Sequence, residues 1–426
     1  MKIRFHHILI LLAMVAVVLL AWTVWWIKDG VRVTYQSDVG EALETVSYAA
    51  VQAMDNWLAQ HKAAVKIWAD TPEVRQLTTE LLEIPRDRDV PAHAGTLERL
   101  HAWLSPLQAM SGNTGYLVVA PDGVILASNR NSDVGRRDLL PRKIDLVRRL
   151  RDSGVAVSMP EKTYGPVTVA TQPDDPTMYF GAPVLDELGQ FLAALVLRVD
   201  PAKGFTDSLR VGYIGVTGES YAFNRQARLI SDSRFSEELY EIGLLDPGEP
   251  AILNIELRDP GVDLTAGAQS HLPIGEQPLT FMAASAIEGK AGINLDGYRD
   301  YRGVNVVGTW VFDSELGIGI ATEVNVGEVY KSLFAIETVI SVLTVLSVLL
   351  LSGLAALLAV NERRRQAQKA LSESESRVRL LLDSVADGVF GVDPDGICTF
   401  VNSSALRLLG CGKASELVGK KIGDII

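Results

Sequence analysis

Two uncharged apolar runs, residues 5–27 and 338–360, constrain this chain of 426 residues more than any other feature. Each is about as long as the ~20 residues a helix needs to cross a bilayer. They raise the mean hydropathy to +0.17, unusual for a soluble chain with 22% charged residues. The first run keeps an apolar core over 8–27, longer than the ~7–15 residues of a signal peptide. It ends in Trp25-Trp26-Ile27 without a small-x-small cleavage site, and paired tryptophans suit a membrane interface. The run therefore reads as an uncleaved anchor.

Positive charges orient the spans. Lys2 and Arg4 precede the first; Arg363, Arg364, Arg365 and Lys369 follow the second. Residues 1–7 and everything beyond the second span are expected in the cytoplasm, and residues 28–333 outside. The formal net charge is −12, and the segment 28–333 holds 28 basic against 42 acidic residues. That acidity excludes nucleic-acid binding driven by bulk charge. The only cysteines, Cys398 and Cys411, lie on the cytoplasmic side, so the external segment needs a hydrophobic core and not disulfides.

A length of ~150 residues per domain suggests two to three domains. From about residue 38 to 82, Val39, Leu43, Val46, Ala50, Met54, Trp57, Leu58, Val65 and Trp68 recur at helical spacing, predicting a long helix that doubles as a packing face or a dimer seam. The pattern then turns to strands. Tyr116-Leu-Val-Val119, the turn Pro121-Asp-Gly123 and Val124-Ile-Leu-Ala127 predict a hairpin. A helix over 139–151 and strands near 155–158, 167–171, 178–183 and 191–199 complete a module. About 104 residues later Thr217-Gly218, Tyr221-Ala-Phe223 and Arg228-Leu-Ile-Ser231 echo the first hairpin. A helix near 236–242 and strands around 252–257, 279–283, 304–312 and 317–324 follow. Two copies imply a bilobed head, not a solenoid.

Several phrases carry a family resemblance: Gly115-Tyr with Pro-Asp-Gly-Val-Ile-Leu-Ala-Ser128, Gly218-Glu-Ser-Tyr-Ala-Phe223, Gly297-Tyr-Arg-Asp-Tyr-Arg-Gly303 and Gly317-Ile-Gly-Ile-Ala-Thr-Glu323. The segment 28–333 resembles the double Cache family of extracytoplasmic sensor domains, with a distal module over about 110–200 and a proximal one over about 210–325. The resemblance implies a bacterial inner-membrane, multi-pass sensor whose distal module binds a small molecule. An amino-acid-binding subset of the family uses an Arg-x-Trp-Tyr cluster and an Asp after a Pro-Tyr pair. This sequence has neither; Glu161-Lys-Thr-Tyr164-Gly-Pro166 keeps only the tyrosine.

Beyond the second span, 361–384 has no Gly or Pro. Leu371, Ser374, Val378, Leu381 and Val385 fall on a and d positions, which fits a short parallel coiled coil or a lone amphipathic helix. The run Gly388-Val-Phe-Gly-Val392, Asp393-Pro-Asp-Gly396, Ile397-Cys-Thr-Phe-Val401 is a third strand–turn–strand unit, and Asn402-Ser-Ser404 caps a helix. Residues 376–426 resemble the start of a PAS domain. Two of its five strands lie before Ile426, so the expectation is an N-terminal piece of a longer protein.

No catalytic set emerges. Gly218-Glu-Ser220-Tyr-Ala222 lacks the last glycine of a nucleophile elbow and reads as strand edge. Asp393-Pro-Asp395-Gly396 reads as a turn, not a calcium loop. Asp174-Asp175 reads as a polar loop. His6, His7, His61, His93, His101 and His271 have no zinc spacing. The ligand-binding candidates are Tyr116, Arg130, Tyr164, Tyr179 and Asp186, aromatic or polar residues at strand ends of the distal module, with Arg130 suited to a carboxylate ligand.

The expected fold is α+β: two transmembrane helices flank a tandem PAS-like sensor domain with a long N-terminal helix, then a linker and an incomplete cytoplasmic PAS domain. The expected function is a transmembrane receptor, with no catalytic domain expected in these residues, that binds a small external ligand and relays the signal to the PAS domain and a further output. By resemblance that output is a histidine kinase acting through a response regulator. A diguanylate cyclase or chemoreceptor is the alternative, and an anchored extracytoplasmic hydrolase the alternative of a different class. Expected partners are the bilayer, a small ligand and a second copy of the chain. No cofactor is identified.

Overall fold

In the computed structural model, which describes residues 5–83, 91–109, 112–137, 148–151, 154–162, 176–211 and 214–424, the first apolar run does not end as a separate span. One continuous helix, α1 (Phe5–Ala69), carries it into the amphipathic segment predicted for 38–82. Pro72 stops α1: it cannot donate a backbone bond to the preceding turn, and it occupies the first position of α2 (Pro72–Glu83) instead. Helix α3 (Pro91–Leu104) follows. A window within each of two helices, α1 and α8 (Lys331–Ser384), is long and apolar enough to cross a membrane, with none of its residues buried.

The chain divides into two compact units, Gly30–Ala335 and Met1–Asp29 with Ile336–Ile426. The first contains two antiparallel sheets. Strands β1 (Asn113–Val119), β2 (Ile125–Ser128), β3 (Ala156–Lys162), β4 (Pro176–Leu185) and β5 (Phe191–Val199) lie in the order β2-β1-β5-β4-β3. The short helix α4 (Phe205–Leu209) leads to the second sheet. There β6 (Glu219–Asn224), β7 (Gly292–Arg299), β8 (Asn305–Asp313) and β9 (Ile318–Asn325) lie in the order β6-β9-β8-β7. Helices α5 (Ser236–Glu241) and α6 (Phe281–Ile287) accompany it, and α7 (Val326–Val329) joins β9 to α8.

The two sheets share one plan. An isolated bridge, Phe223 to Leu229, puts 228–231 beside β6 where β2 stands beside β1. The internal repeat is therefore a repeat of strand order. Segment 228–231 makes only bridges because left-handed Ala227 (φ 55°) turns the chain tightly and Arg228 pairs outward with Glu256. Left-handed Leu253 (φ 64°) similarly interrupts the strand expected over 252–257. The strand expected over 279–283 is a helix instead. Leu279 makes one bridge to Arg258, and Thr280 caps α6 by accepting from the Ala283 N–H at 3.3 Å. Periodicity over five residues, four of them apolar, cannot separate the two states. The helix expected over 139–151 is described only at 148–151, which are helical, and the strand expected over 167–171 lies outside the described residues.

Turn chemistry fixes the first hairpin. The Val124 N–H donates to Asp122 at 3.3 Å, and Gly123 takes a left-handed φ of 82°. Val39 and Leu43 of α1 pack with Val307, Val324, Tyr330 and Leu333 of the second module. Met54, Leu58 and Val65 of the same helix pack under the first sheet. One helix thus underlies both modules.

In the other unit, β10 (Phe390–Val392) and β11 (Cys398–Val401) form a hairpin, and α9 (Ser403–Leu408) is capped by Asn402, whose side chain accepts from the Ala405 N–H at 2.8 Å. Leu371, Val378 and Leu381 are exposed along α8.

Candidate ligand site in the five-stranded module

Strand alternation gives the first sheet two interior faces. Tyr116, Val118, Phe180, Leu195 and Leu197 face the α1–α3 core. Leu117, Val119, Tyr179, Ala194 and Val196 form a second cluster on the opposite face. On that second face β5 carries a charge: Arg198, register partner of both Tyr179 and Gly115, is 5% exposed.

Arg198 does not stand alone. Its Nη2 lies 2.6 Å from Asp133 Oδ2 and donates to Ser128 Oγ at 3.1 Å. Ser128 Oγ in turn donates to Asp133 Oδ2 at 3.0 Å and accepts from the Arg130 N–H at 3.0 Å. Side-chain exposures of 6% and 7% make this a buried ion pair. Desolvating two charges costs several kcal/mol, so such a pair is poor evidence for stability alone. Arg198 Nε has no hydrogen-bond partner among the described residues, an unmet donor in a buried cation.

Next to this network a cavity of about 800 Å3 opens between α3 and the edge of β2. Leu81, Leu97, Val124 and Leu126 give it apolar walls, and His101, Asn129, Asn131 and Arg137 supply polar groups. Ser128 lines the cavity and also belongs to the Arg198–Asp133 network, so the two adjoin at this residue. Asn129 is held in place: its Oδ1 accepts from the Tyr116 N–H and its Nδ2 donates to Thr114 O, both at 3.2 Å. Arg137 pairs with Asp122 at 3.0 Å. The volume and the mix of apolar wall with few polar groups fit a small-molecule site. Among the described residues no cluster of three or more His, Cys, Asp or Glu could hold a metal ion.

The sequence candidates separate in space. Tyr116 is buried on the helix-facing side, 6.2 Å from the His101 ring centroid; burial pushes its phenol up to about 12. Arg130 sits between Ser128 and the 3-10 turn Asn131–Asp133, beside the network. Tyr179 is buried on the opposite face, with its N–H donating to Ser158 Oγ at 3.1 Å. Asp186 closes the β4–β5 turn by accepting from the Leu188 and Gln190 N–H groups. Tyr164 lies outside the described residues. Arg198, Asp133 and Ser128 were not anticipated. Arg198 had a signal, as the one charged residue in the strand Phe-Leu-Ala-Ala-Leu-Val-Leu-Arg-Val, whereas nothing in Asn131-Ser-Asp133 marks a buried carboxylate.

No curated protein sequence matches the chain. Among solved structures, the ligand-binding domain of the Pseudomonas aeruginosa PAO1 amino acid chemoreceptor PctB in complex with L-Gln is similar over 68% of this chain and 92% of its own, at 11% identity and TM-score 0.39. The sensory domain of the Campylobacter jejuni chemoreceptor Tlp3 with isoleucine bound is similar over 70% and 96%, at 8% identity and TM-score 0.40. The extracellular domain of the candidate histidine kinase vpHK1S-Z8 is similar over 70% and 96%, at 9% identity and TM-score 0.41. At the other end of the chain, residues 376–426 match the family of the PAS fold.

Proposed function

We propose that the chain is a transmembrane receptor that binds a small extracytoplasmic molecule in the five-stranded module and signals to its PAS segment. The cavity of about 800 Å3, backed by the buried Ser128–Asp133–Arg198 network, carries this reading. The chain order supports it: candidate spans in α1 and α8 bracket the two-sheet unit, and the PAS match follows the second. Both modules rest on α1, and β9 leads through α7 into α8, so a change in either sheet has a covalent route to the second span. A ligand shifts such a system only by its differential affinity for two arrangements.

The exposed Leu371, Val378 and Leu381 on α8 favour a homodimer joined by a coiled coil. The family resemblance favours a histidine kinase output over a diguanylate cyclase or a chemoreceptor. Ligand class follows from charge: Arg137 lines the cavity, Arg130 stands in sequence between the lining residues Asn129 and Asn131, and the two favour an anionic or zwitterionic molecule with an apolar body.

Thermal unfolding of the full chain in nanodiscs against a library of small carboxylates tests the site. A hit should raise the melting temperature of the native chain, and Arg130→Ala should abolish that shift. A shift left intact by Arg130→Ala removes Arg130 from the site; no shift with any compound rejects a carboxylate ligand.

A further inference from the structure

The second sheet also buries charge. Glu219 on β6 and Glu323 on β9 are direct register partners, 6% and 4% exposed, on the face that carries Tyr221 and Ala321 in the module's core. Two carboxylates placed this way repel each other in a medium that screens poorly. Their surroundings differ. Glu219 Oε1 accepts from Ser233 Oγ at 2.8 Å and from the Arg234 N–H at 2.7 Å, and Oε2 accepts from Tyr301 at 3.0 Å. Nearby Asp300 is met by Arg302 at 2.8 Å, and Arg302 also reaches Glu238 at 3.0 Å. Among the described residues Glu323 receives only phenols: Tyr298 at 2.7 Å on Oε1 and Tyr221 at 2.8 Å on Oε2. Across β8 it faces Gly308, where an added Cβ would lie 2.8 Å from the Glu323 Cγ and 2.7 Å from the Tyr298 hydroxyl.

We propose that Glu323 is the proton-operated element of a pH switch in the four-stranded module, neutral in the packed state and forcing β6 and β9 apart when it ionises. The phenols suit the role. Each hydroxyl can donate to a carboxylate or accept from a carboxylic acid, so the pocket is satisfied with the proton present. On release the proton goes to solvent, and the new anion meets Glu219 and Asp300 with no cation of its own. Burial and these neighbours push Glu323 up to about 8, and burial also raises Glu219 and Asp300, which Arg234, Ser233 and Arg302 counteract.

The output of this switch is the strand end. Asn325, last residue of β9, accepts from Arg302 at 3.3 Å. Glu328 in α7 holds the Val216 and Thr217 N–H groups at 2.6 and 2.7 Å, just ahead of β6. Parting β6 from β9 therefore loosens the ties that set the start of α8. This inference does not depend on ligand binding in the other module.

Hydrogen exchange of the full chain in nanodiscs between pH 6 and 9, corrected for intrinsic exchange rates, tests it. Exchange in Glu219–Asn224 and Ile318–Asn325 should rise by up to about tenfold per pH unit below pH 8, the linkage of one proton, and Glu323→Gln should stay protected at pH 9. Infrared difference spectra of the native chain should lose a buried carboxylic C=O band over the same range, a readout that needs no variant to fold. Absence of that titrating band, or the same pH dependence in Glu323→Gln, overturns the proposal.

Discussion

At the scale of single residues, buried charges dominate what can be measured. Arg198→Ala leaves Asp133 buried without its cation, so unfolding should become easier by roughly 3–5 kcal/mol. Arg198→Met with Asp133→Asn removes both charges and should recover most of that loss in denaturant titrations. A double variant as unstable as the single one would mean that the pair contributes through packing alone. Glu323 sets a pH dependence of the opposite sense to ordinary surface carboxylates. Folding raises its pKa from 4.5 to about 8, so its contribution is complete below about pH 4.5 and disappears as pH rises through 8. Glu256 and Glu328, lowered by Arg258 and by Thr217 respectively, lose their contribution only below that window. The melting temperature should therefore fall from pH 5 to 8, with a shallower fall in Glu323→Gln. None of this burial was legible in the sequence. Glu219 and Glu323 stood within quoted motif phrases, but a strand residue's partner across the sheet is set by register, which the linear order does not carry.

At the scale of elements, α1 is decisive. Its internal face reads in the sequence because Leu43, Met54, Leu58 and Val65 recur at helical spacing, and all are buried. Leu43, at 0% exposure, packs against Val307, Val324, Tyr330 and Leu333. Leu43→Ala should destabilise the chain by about 2–5 kcal/mol, the usual range for a buried leucine, as measured by chemical denaturation. A loss well under ~1 kcal/mol would show that α1 is not seated on the second module. The hairpins were legible because Pro121-Asp-Gly123 and Asp393-Pro-Asp-Gly396 specify their turns by side chain and by left-handed glycine. Thr280–Ile287 misled the strand reading because its cap and its tertiary packing, with Met282, Ala283 and Ala286 buried, outweigh a short β-like pattern.

For the whole molecule, the candidate spans make a topological prediction. Reporter fusions at residues 200 and 400 should report opposite compartments; the same compartment for both would remove the receptor reading. Hydropathy, the flanking positive charges, the repeat and the PAS match at 376–426 are all properties of linear order, and the sequence alone determined them. Tertiary structure decided the rest. It brought Ser128, Asp133 and Arg198 together from separate elements, opened a cavity beside α3, and set Glu219 opposite Glu323 across a strand boundary. The physical reason is range. Membrane partition, turns and helical faces depend on residues within a few positions of each other, whereas the buried polar networks also need contacts such as Arg198–Asp133 and Tyr221–Glu323, 65 and 102 positions apart.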